Sequence, residues 1–193
     1  LLPIFEGGFL WLNGQTNTFA DSFQVDDSAL NILDSNANSP GTKTVTGIFS
    51  DYAGKKGSIK FKALGNLLFL TGRSTITGTV QFGTGPNQNK VYLSDAGSFE
   101  EASLVRVDGQ LDLSQNTNSV VRFRALESTS AGKINITDKM LEVGNGNTNT
   151  VSSGEILGLN GSLTKVGSGS LTLQGKNTYT NYTLIEGGTL VIN

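Results

Sequence analysis

Residues 167–193 read GSGSLTLQGKNTYTNYTLIEGGTLVIN. Leucine and isoleucine alternate with short polar residues in brief runs, and glycine or asparagine separates the runs. Alternation with a period of two is typical of a strand that buries one face, while glycine and asparagine favour turns. The stretch therefore predicts short β-strands joined by tight corners.

The same rhythm recurs through most of the upstream sequence. Short apolar runs occur as IKF at 59–61, LLFL at 67–70, VYL at 91–93, LVRV at 104–107, LDL at 111–113, VVRF at 120–123, INI at 134–136 and MLEV at 140–143. Their close spacing leaves little room for helices, so we expect a chain that is nearly all β. Two architectures fit: a sandwich, and a solenoid with about three short strands in each coil.

An internal repeat favours the solenoid. Residues 57–85 align with residues 161–190. Gly-Ser-Ile at 57–59 matches Gly-Ser-Leu at 161–163, and after a shift of one residue Leu68, Leu70 and Gly72 match Leu171, Leu173 and Gly175. In a parallel coil each apolar residue stacks on its counterpart about 4.8 Å away, and glycine and asparagine occupy the corners. We therefore expect a β-helix over residues 51–193, with repeat copies at 57–85 and 161–190.

Residues 1–50 have a different composition, and we predict that they form a capping or connecting segment. They contain the one tryptophan, Trp11, close to Phe5 and Phe9, followed by an acidic and asparagine-rich stretch. Such aromatic residues can form a ligand platform, but a cluster of this kind near the end of a chain more often caps a core. The second interpretation is the one we expect here.

Composition and charge limit the possible partners. The net charge is −2 and there is no cysteine, so no disulfide framework exists. The lysines cluster only at Lys55, Lys56, Lys60 and Lys62, where we expect them to be solvated and to protect strand edges. Nucleic acid is therefore not an expected partner. The sequence begins with leucine, and we expect it to be a fragment of a longer polypeptide.

The charged residues of the chain offer few candidates for a catalytic site. The chain has no histidine, which excludes a Ser-His-Asp triad and a histidine-ligated zinc site built from these residues. Alternation in LVRVDGQLDL predicts that Arg106, Asp108 and Asp112 point outward as an ordinary exposed charge ladder. The other acidic and basic candidates for a polysaccharide-cleaving site are Asp95, Glu100, Glu101, Arg122 and Arg124.

Metal and phosphate sites are also not expected. A calcium site was considered at Asp26, Asp27, Asp34 and Asp51, but the spacing is not that of a calcium-binding loop. The glycine pairs Gly7-Gly8 and Gly187-Gly188 lack the residues of a phosphate-binding loop. We therefore expect no catalytic residue, no cofactor and no metal.

The closing stretch resembles the passenger-associated transport repeat of bacterial autotransporters, the proteins of type V secretion. The family pattern is matched at Gly167, Gly169, Leu171, Leu173, Gly175, Asn177, Tyr179, Thr183, Ile185, Gly188 and Leu190. The chain departs from the pattern at Asn181 and Tyr182, where the family has two glycines. Because asparagine tolerates a left-handed backbone, we expect the corner there to be kept.

The resemblance implies a right-handed parallel β-helix that forms a non-catalytic, extracellular stalk. Such a stalk lies between an effector domain, often a subtilisin-like protease, and an outer-membrane β-barrel in the full-length chain. It implies a location at the bacterial cell surface or in the medium, and a role in folding and secretion.

Two other functions stay open at this point. The first is an adhesin or toxin-like module that binds a host receptor or glycan, or that self-associates. The second is a polysaccharide lyase or hydrolase that uses Asp108 and Arg106.

Overall fold

The computed structural model describes residues 2–13, 16–28, 31–35, 38, 41–85 and 90–193. These residues contain 23 short strands and no helix, and therefore no helix that is long and apolar enough to cross a membrane. The strands pair in parallel and wind into a β-solenoid of about eight turns, with about three strands in each coil. The predicted all-β parallel β-helix is confirmed, and the sandwich alternative is wrong.

One sheet of nine strands, here called the long sheet, runs along the whole solenoid. Its strands are β2 (Phe9–Trp11), β5 (Ile32–Asp34), β8 (Ile59–Lys62), β10 (Thr79–Phe82), β12 (Leu104–Val107), β15 (Leu126–Ser128), β18 (Thr150–Ser152), β21 (Ser170–Leu173) and β23 (Thr189–Ile192). A second sheet of seven strands forms another side of the coil. Its strands are β3 (Asn17–Phe19), β6 (Thr42–Val45), β9 (Leu67–Leu70), β11 (Lys90–Leu93), β13 (Gln110–Asp112), β16 (Lys133–Asn135) and β19 (Glu155–Leu157).

The third side of the coil is formed by two shorter sheets, one towards each end. The N-terminal short sheet contains β1 (Ile4–Phe5), β4 (Phe23–Val25) and β7 (Phe49–Asp51). The C-terminal short sheet contains β14 (Val120–Phe123), β17 (Met140–Val143), β20 (Ser162–Lys165) and β22 (Thr183–Ile185). Irregular segments complete this side in the intervening coils, and Ile76 and Phe99 from these segments are buried.

The core consists of inward side chains that stack from coil to coil. Val80 pairs with Ile59 in the coil before it and with Val105 in the coil after it, and all three are buried. Phenylalanine rings add a cluster in the N-terminal half, where the Phe61 ring lies 5.7 Å from the Phe82 ring. Each folded coil therefore provides an apolar surface on which the next coil packs.

The long sheet crosses the predicted boundary at residue 50 without interruption. Strand β5 pairs with β2 on one side and with β8 on the other. Residues 1, 14, 15, 29, 30, 36, 37, 39 and 40 of the 1–50 segment lie outside the described residues. The capping or connecting role of this segment stays a prediction.

The N-terminal aromatic residues do not act together as a cap. Phe5 is buried and its ring lies 5.4 Å from the Phe23 ring. Phe9 and Trp11 flank the inward Leu10, so they lie on the outer face, and they are 60% and 62% exposed. The core-capping interpretation is therefore wrong for Phe9 and Trp11, because their strand turns them away from the interior.

The two repeat copies occupy different positions in the coil. Ile59 lies in the long sheet, whereas its aligned partner Leu163 lies in the C-terminal short sheet. Leu68 lies in the seven-stranded sheet, whereas Leu171 lies in the long sheet. The two segments thus share the alternation of strands and corners but start at different sides of the coil.

Replacement of a stacked core ring should destabilise the solenoid far more than replacement of an outer ring. Phe61 is fully buried, so Phe61→Ala should cost about 3–5 kcal/mol of unfolding free energy. Phe69 lies outside, stacked on Tyr92 at 4.4 Å, so Phe69→Ala should cost less than about 1.5 kcal/mol. Guanidinium unfolding followed by circular dichroism measures both, and equal losses would contradict the proposed direction of the side chains.

Candidate functional site

The repeat-like stretch forms the last coils of the described solenoid. Leu171 and Leu173 are buried in β21, where they pair with Leu190 and Ile192 of β23. Leu163 is buried in β20 and pairs with Thr183 of β22. The regular leucines of the motif are therefore steps of the inward stacks.

The motif glycines stand at corners where a side chain does not fit. Gly167 and Gly188 have φ angles of +69° and +67°, which glycine adopts without strain. A Cβ atom on Gly167 would collide with the carbonyl of Gly144, and one on Gly188 with the carbonyl of Gly169. These corners thus need glycine for two reasons, the backbone angle and the close approach of the neighbouring coil.

Asn177 joins the last two described coils at β19, on the side where no described strand pairs with β19. Its side-chain oxygen accepts a hydrogen bond of 3.0 Å from the backbone nitrogen of Ile156, and its amide nitrogen donates to the carbonyl of Gly175 at 3.0 Å. The backbone nitrogen of Thr178 donates to the carbonyl of Ile156 at 2.9 Å. The asparagine side chain therefore takes the place of one backbone partner of β19.

Tyr179 links the segment that contains Asn177 to the next strand, β22. Its ring packs partly buried against the core, and its hydroxyl lies 2.6 Å from the Thr183 hydroxyl. Thr183 and Ile185 stand at inward positions of β22, above Leu163 and Lys165. They are exposed because no described strand lies on their far side.

The corner at the departure from the family pattern needs no left-handed residue. Neither Asn181 nor Tyr182 has a positive φ angle. The backbone nitrogen of Asn181 donates to the carbonyl of Gly161 at 3.0 Å, and the carbonyl of Tyr182 accepts from Leu163 at 3.1 Å. The corner is kept as expected, but its backbone is ordinary rather than left-handed, and this explains why two glycines can be replaced.

Sequence reasoning missed Lys165, which is the most unusual residue of these coils. It occupies an inward position between Val143 and Ile185 and is only 1% exposed. Its Nζ donates hydrogen bonds to the carbonyls of Val166 at 2.6 Å, Gly167 at 3.2 Å and Gly187 at 3.2 Å. The lysine thus ties the corner after β20 to the corner before β23.

Burial lowers the pKa of the Lys165 ammonium below the usual lysine value, because the charged form loses its hydration. The three carbonyl oxygens supply its polar contacts in place of water. Lys43 holds a comparable inward position in β6, paired with Leu68, and burial lowers its pKa as well. Period-two counting from Leu163 places Lys165 inward, so the signal was present in the sequence.

Four of the acidic and basic candidates line one small surface cavity of about 120 Å³, namely Glu100, Glu101, Arg122 and Arg124, whereas Arg106 and Asp108 border a different groove. Arg73 pairs with Glu100 at 3.5 Å, Arg124 with Glu101 at 3.8 Å, Arg122 with Glu142 at 3.3 Å, and Arg106 with Asp108 at 3.0 Å. Asp95 contributes a backbone contact, in which its carbonyl accepts from Thr117. Three of these pairs join neighbouring coils, as charge ladders do, and the pair of Arg106 and Asp108 lies within one coil.

Asp108 and Asp112 are not exposed, which corrects the predicted exposed ladder. Asp108 is 8% exposed and accepts a hydrogen bond from Gln81 at 2.6 Å. Arg106 beside it is half-buried, and together with Gln81 it borders a groove of about 460 Å³ on the outer face of the long sheet. Neighbouring coils cover these carboxylates even though they point away from the leucines.

Asp112 is the centre of a polar network on the seven-stranded sheet. Burial alone would raise the pKa of its carboxyl, but hydrogen bonds from Ser114, Asn135 and Lys90 outweigh this effect and hold the pKa below its usual value. The hydroxyl of Ser114 lies 2.6 Å from Asp112 Oδ1, and the ammonium of Lys90 lies 3.2 Å from Oδ2. The contacts of Lys90 and Asn135 link Asp112 to the neighbouring coils, whereas Ser114 fixes the carboxylate within its own coil, and both are structural roles.

The calcium candidates are likewise engaged with nearby groups. Asp51 accepts hydrogen bonds from the backbone nitrogens of Gly57 and Thr77. Asp27 pairs with Lys55 at 3.5 Å, Asp34 pairs with Lys62 at 3.4 Å, and Asp26 accepts from Asn31 at 2.7 Å. Within the described ranges, no three acidic side chains come together as metal ligands would.

Loss of the Lys165 ammonium should loosen the last coils. In Lys165→Met the buried carbonyls lose their donor, which should cost about 1–3 kcal/mol. The amides of residues 183–192 should then exchange hydrogen faster. Lys133→Met is the control, since that side chain is 58% exposed and its ammonium lies 3.8 Å from the Glu155 carboxylate. Equal exchange in the two variants would contradict the role of Lys165.

Comparison with known families identifies the same coils. Residues 163–192 match the family model described as passenger-associated-transport-repeat. No curated protein and no solved structure shows significant similarity to the chain. The match concerns the repeat, so an attached subtilisin-like protease stays a prediction. Residues 163–192 thus carry a passenger-associated transport repeat, and this repeat in the last coils of a parallel β-solenoid fits the passenger of an autotransporter.

Proposed function

We propose that this chain is a stalk on the bacterial surface that displays an effector domain and assists its folding and export across the outer membrane. The observation that carries the proposal is the position of the matched repeat: residues 163–192 continue the long sheet and the C-terminal short sheet without a break. Because the repeat forms part of the stacked coils, we expect it to act by stabilising them. The proposed partners are the effector domain and the outer-membrane β-barrel of the same polypeptide.

The stacking supports an export role because folding of each coil is strongly favoured once its neighbour has folded. Burial of one leucine side chain is worth about 1.5–3 kcal/mol. Leu171 and Leu173 both become buried when β21 docks on β18 and is covered by β23. A chain that folds in this way outside the cell resists sliding back, so sequential stacking gives transport a direction.

The same arrangement supports a display role. Each strand pair of the long sheet adds a backbone ladder along the solenoid axis, and the side chains at the corners tie adjacent coils together. A continuous ladder holds its two ends apart at a fixed distance. The proposal assigns no catalysis to the chain, since its charged residues pair with each other along the outer face.

A pair of substitutions on β21 tests the export role. Leu171→Asp places a carboxylate in the core, which should lower surface display of the complete precursor by about tenfold or more. Thr172→Asp is the matched control, because Thr172 points outward from the same strand and should leave display nearly unchanged. Antibody labelling of intact cells, normalised to the total amount of precursor, measures the effect.

Two outcomes of this experiment would contradict the proposal. One is equal display of both variants. The other is full display of a folded passenger from a precursor that lacks residues 161–193. In either case the stacked repeat would not assist secretion, although the solenoid fold would stand.

A second candidate function is glycan binding on the outer face of the long sheet. Lys60, Gln81 and Arg106 pair across three strands and line the groove of about 460 Å³ together with Asp108. This row offers both donors and acceptors to sugar hydroxyls. If the groove binds glycans, Gln81→Ala should reduce retention on immobilised glycans by about tenfold. Absence of retention by the unmodified chain would leave the stalk role alone.

A further inference from the structure

The departure from the family pattern creates an acceptor sequence for N-linked sugars. Where the repeat has two glycines, this chain has Asn181 and Tyr182, and with Thr183 they form the sequence Asn-x-Thr. This sequence is the acceptor motif for sugar transfer to asparagine when the middle residue is not proline. The same motif occurs at Asn135-Ile136-Thr137 and at Asn160-Gly161-Ser162.

The three asparagines differ in what their side chains do in the fold. Asn135 is half-buried, its amide nitrogen donates to Asp112 at 2.9 Å, and its oxygen accepts from Thr137. A sugar on that nitrogen would have to displace the network around the covered Asp112 carboxylate. Of the three asparagines, Asn135 is therefore the one at which the folded chain tolerates a sugar least.

Asn160 is more exposed than Asn135, but its side chain still forms a hydrogen bond. It is exposed, has a φ angle of +55°, and donates from its amide nitrogen to Asp138 at 2.8 Å. A glycosylated amide keeps one N–H, so this bond can survive modification. Asn160 is an intermediate case.

Asn181 carries the fewest constraints. It is exposed at the corner between the Asn177 segment and β22, and its backbone nitrogen alone makes the contact to Gly161. Within the described ranges its side-chain amide forms no hydrogen bond. A sugar on its nitrogen would therefore project into solvent without breaking a contact that holds the coils together.

We propose that Asn181 is a glycosylation site whose acceptor is its side-chain amide nitrogen. The amide nitrogen attacks the anomeric carbon of a sugar activated as a glycosyl phosphate, such as a nucleotide sugar or a lipid-linked saccharide. A carbon–nitrogen bond forms, the bond between the anomeric carbon and the phosphate oxygen breaks, the phosphate leaves with the electron pair, and the amide proton passes to a base of the transferase.

The fold indicates when this transfer takes place. Tyr182 and Thr183 are paired with β20, and the Thr183 hydroxyl lies against Tyr179, so the folded chain holds the motif fixed. Transfer therefore precedes docking of the last coil. Folding then selects among the modified chains, because those with a sugar at Asn135 lose the Asp112 network.

The test is to express the chain in bacteria that contain a transferase specific for Asn-x-Ser/Thr and its activated sugar donor. Folded chains are separated by protease resistance, and peptide mass mapping gives the occupied fraction of each asparagine. We expect occupancy of Asn181 to exceed that of Asn135 by about tenfold or more in the folded fraction. The mass of the attached group distinguishes a single sugar from a transferred oligosaccharide.

Substitutions of Thr183 supply the matched controls. Thr183→Ala removes the motif and should abolish modification of Asn181, whereas Thr183→Ser keeps the motif and should retain it. The proposal is overturned if Asn181 carries no sugar in the folded fraction while an unstructured tag with the same three residues is modified. It is also overturned if Asn135 is modified to the same extent as Asn181 in folded chains.

Discussion

Inward side chains that stack from one coil to the next form the core of this solenoid. A single coil cannot bury its apolar residues, because it has no interior of its own. Val80 becomes part of a core only because Ile59 lies below it and Val105 above it. The same dependence explains why Ile185 and Ile192, the last members of their stacks, are 53% and 70% exposed.

The corners follow from this stacking. Coils can approach to the spacing of paired strands only if the turning residues leave room for the carbonyls of the coil below, and this is why Gly167 meets Gly144. Backbone groups at irregular corners need partners, and Asn177 and Lys165 provide them with their side chains. At these corners the two polar side chains hold neighbouring coils together, as the stacked leucines do along the sheets.

The sequence predicted the strands better than it predicted their surroundings. Period-two alternation assigns Leu171 to the core and Thr172 to the outside, because both follow from the direction of successive side chains in a strand. It cannot show whether a neighbouring coil covers an outward residue. Asp112 was therefore predicted to be exposed, whereas in the structure Lys90 and Asn135 of the adjacent coils contact its carboxylate.

Two other expectations failed for related reasons. Trp11 was expected to cap the core as part of an aromatic cluster, but the register of β2 turns it outward, and register depends on the pairing with β5. The segments at 57–85 and 161–190 share their pattern, yet they start on different sides of the coil. Any side of a three-sided coil can supply the same alternation, so similarity of pattern does not fix position around the axis.

The distribution of charge shows why no single residue dominates the proposed function. Opposite charges meet between successive coils, as in Arg122 with Glu142 and Lys133 with Glu155, and each exposed pair contributes little stability. Pairing of this kind places opposite charges, rather than like charges, beside each other along the outer face. A surface neutralised in this way offers a partner few strong fixed charges, whereas the interior depends on every step of the stack. The proposed function therefore depends on an uninterrupted stack of coils. A chemical group can be attached at an exposed corner without disturbing this stack.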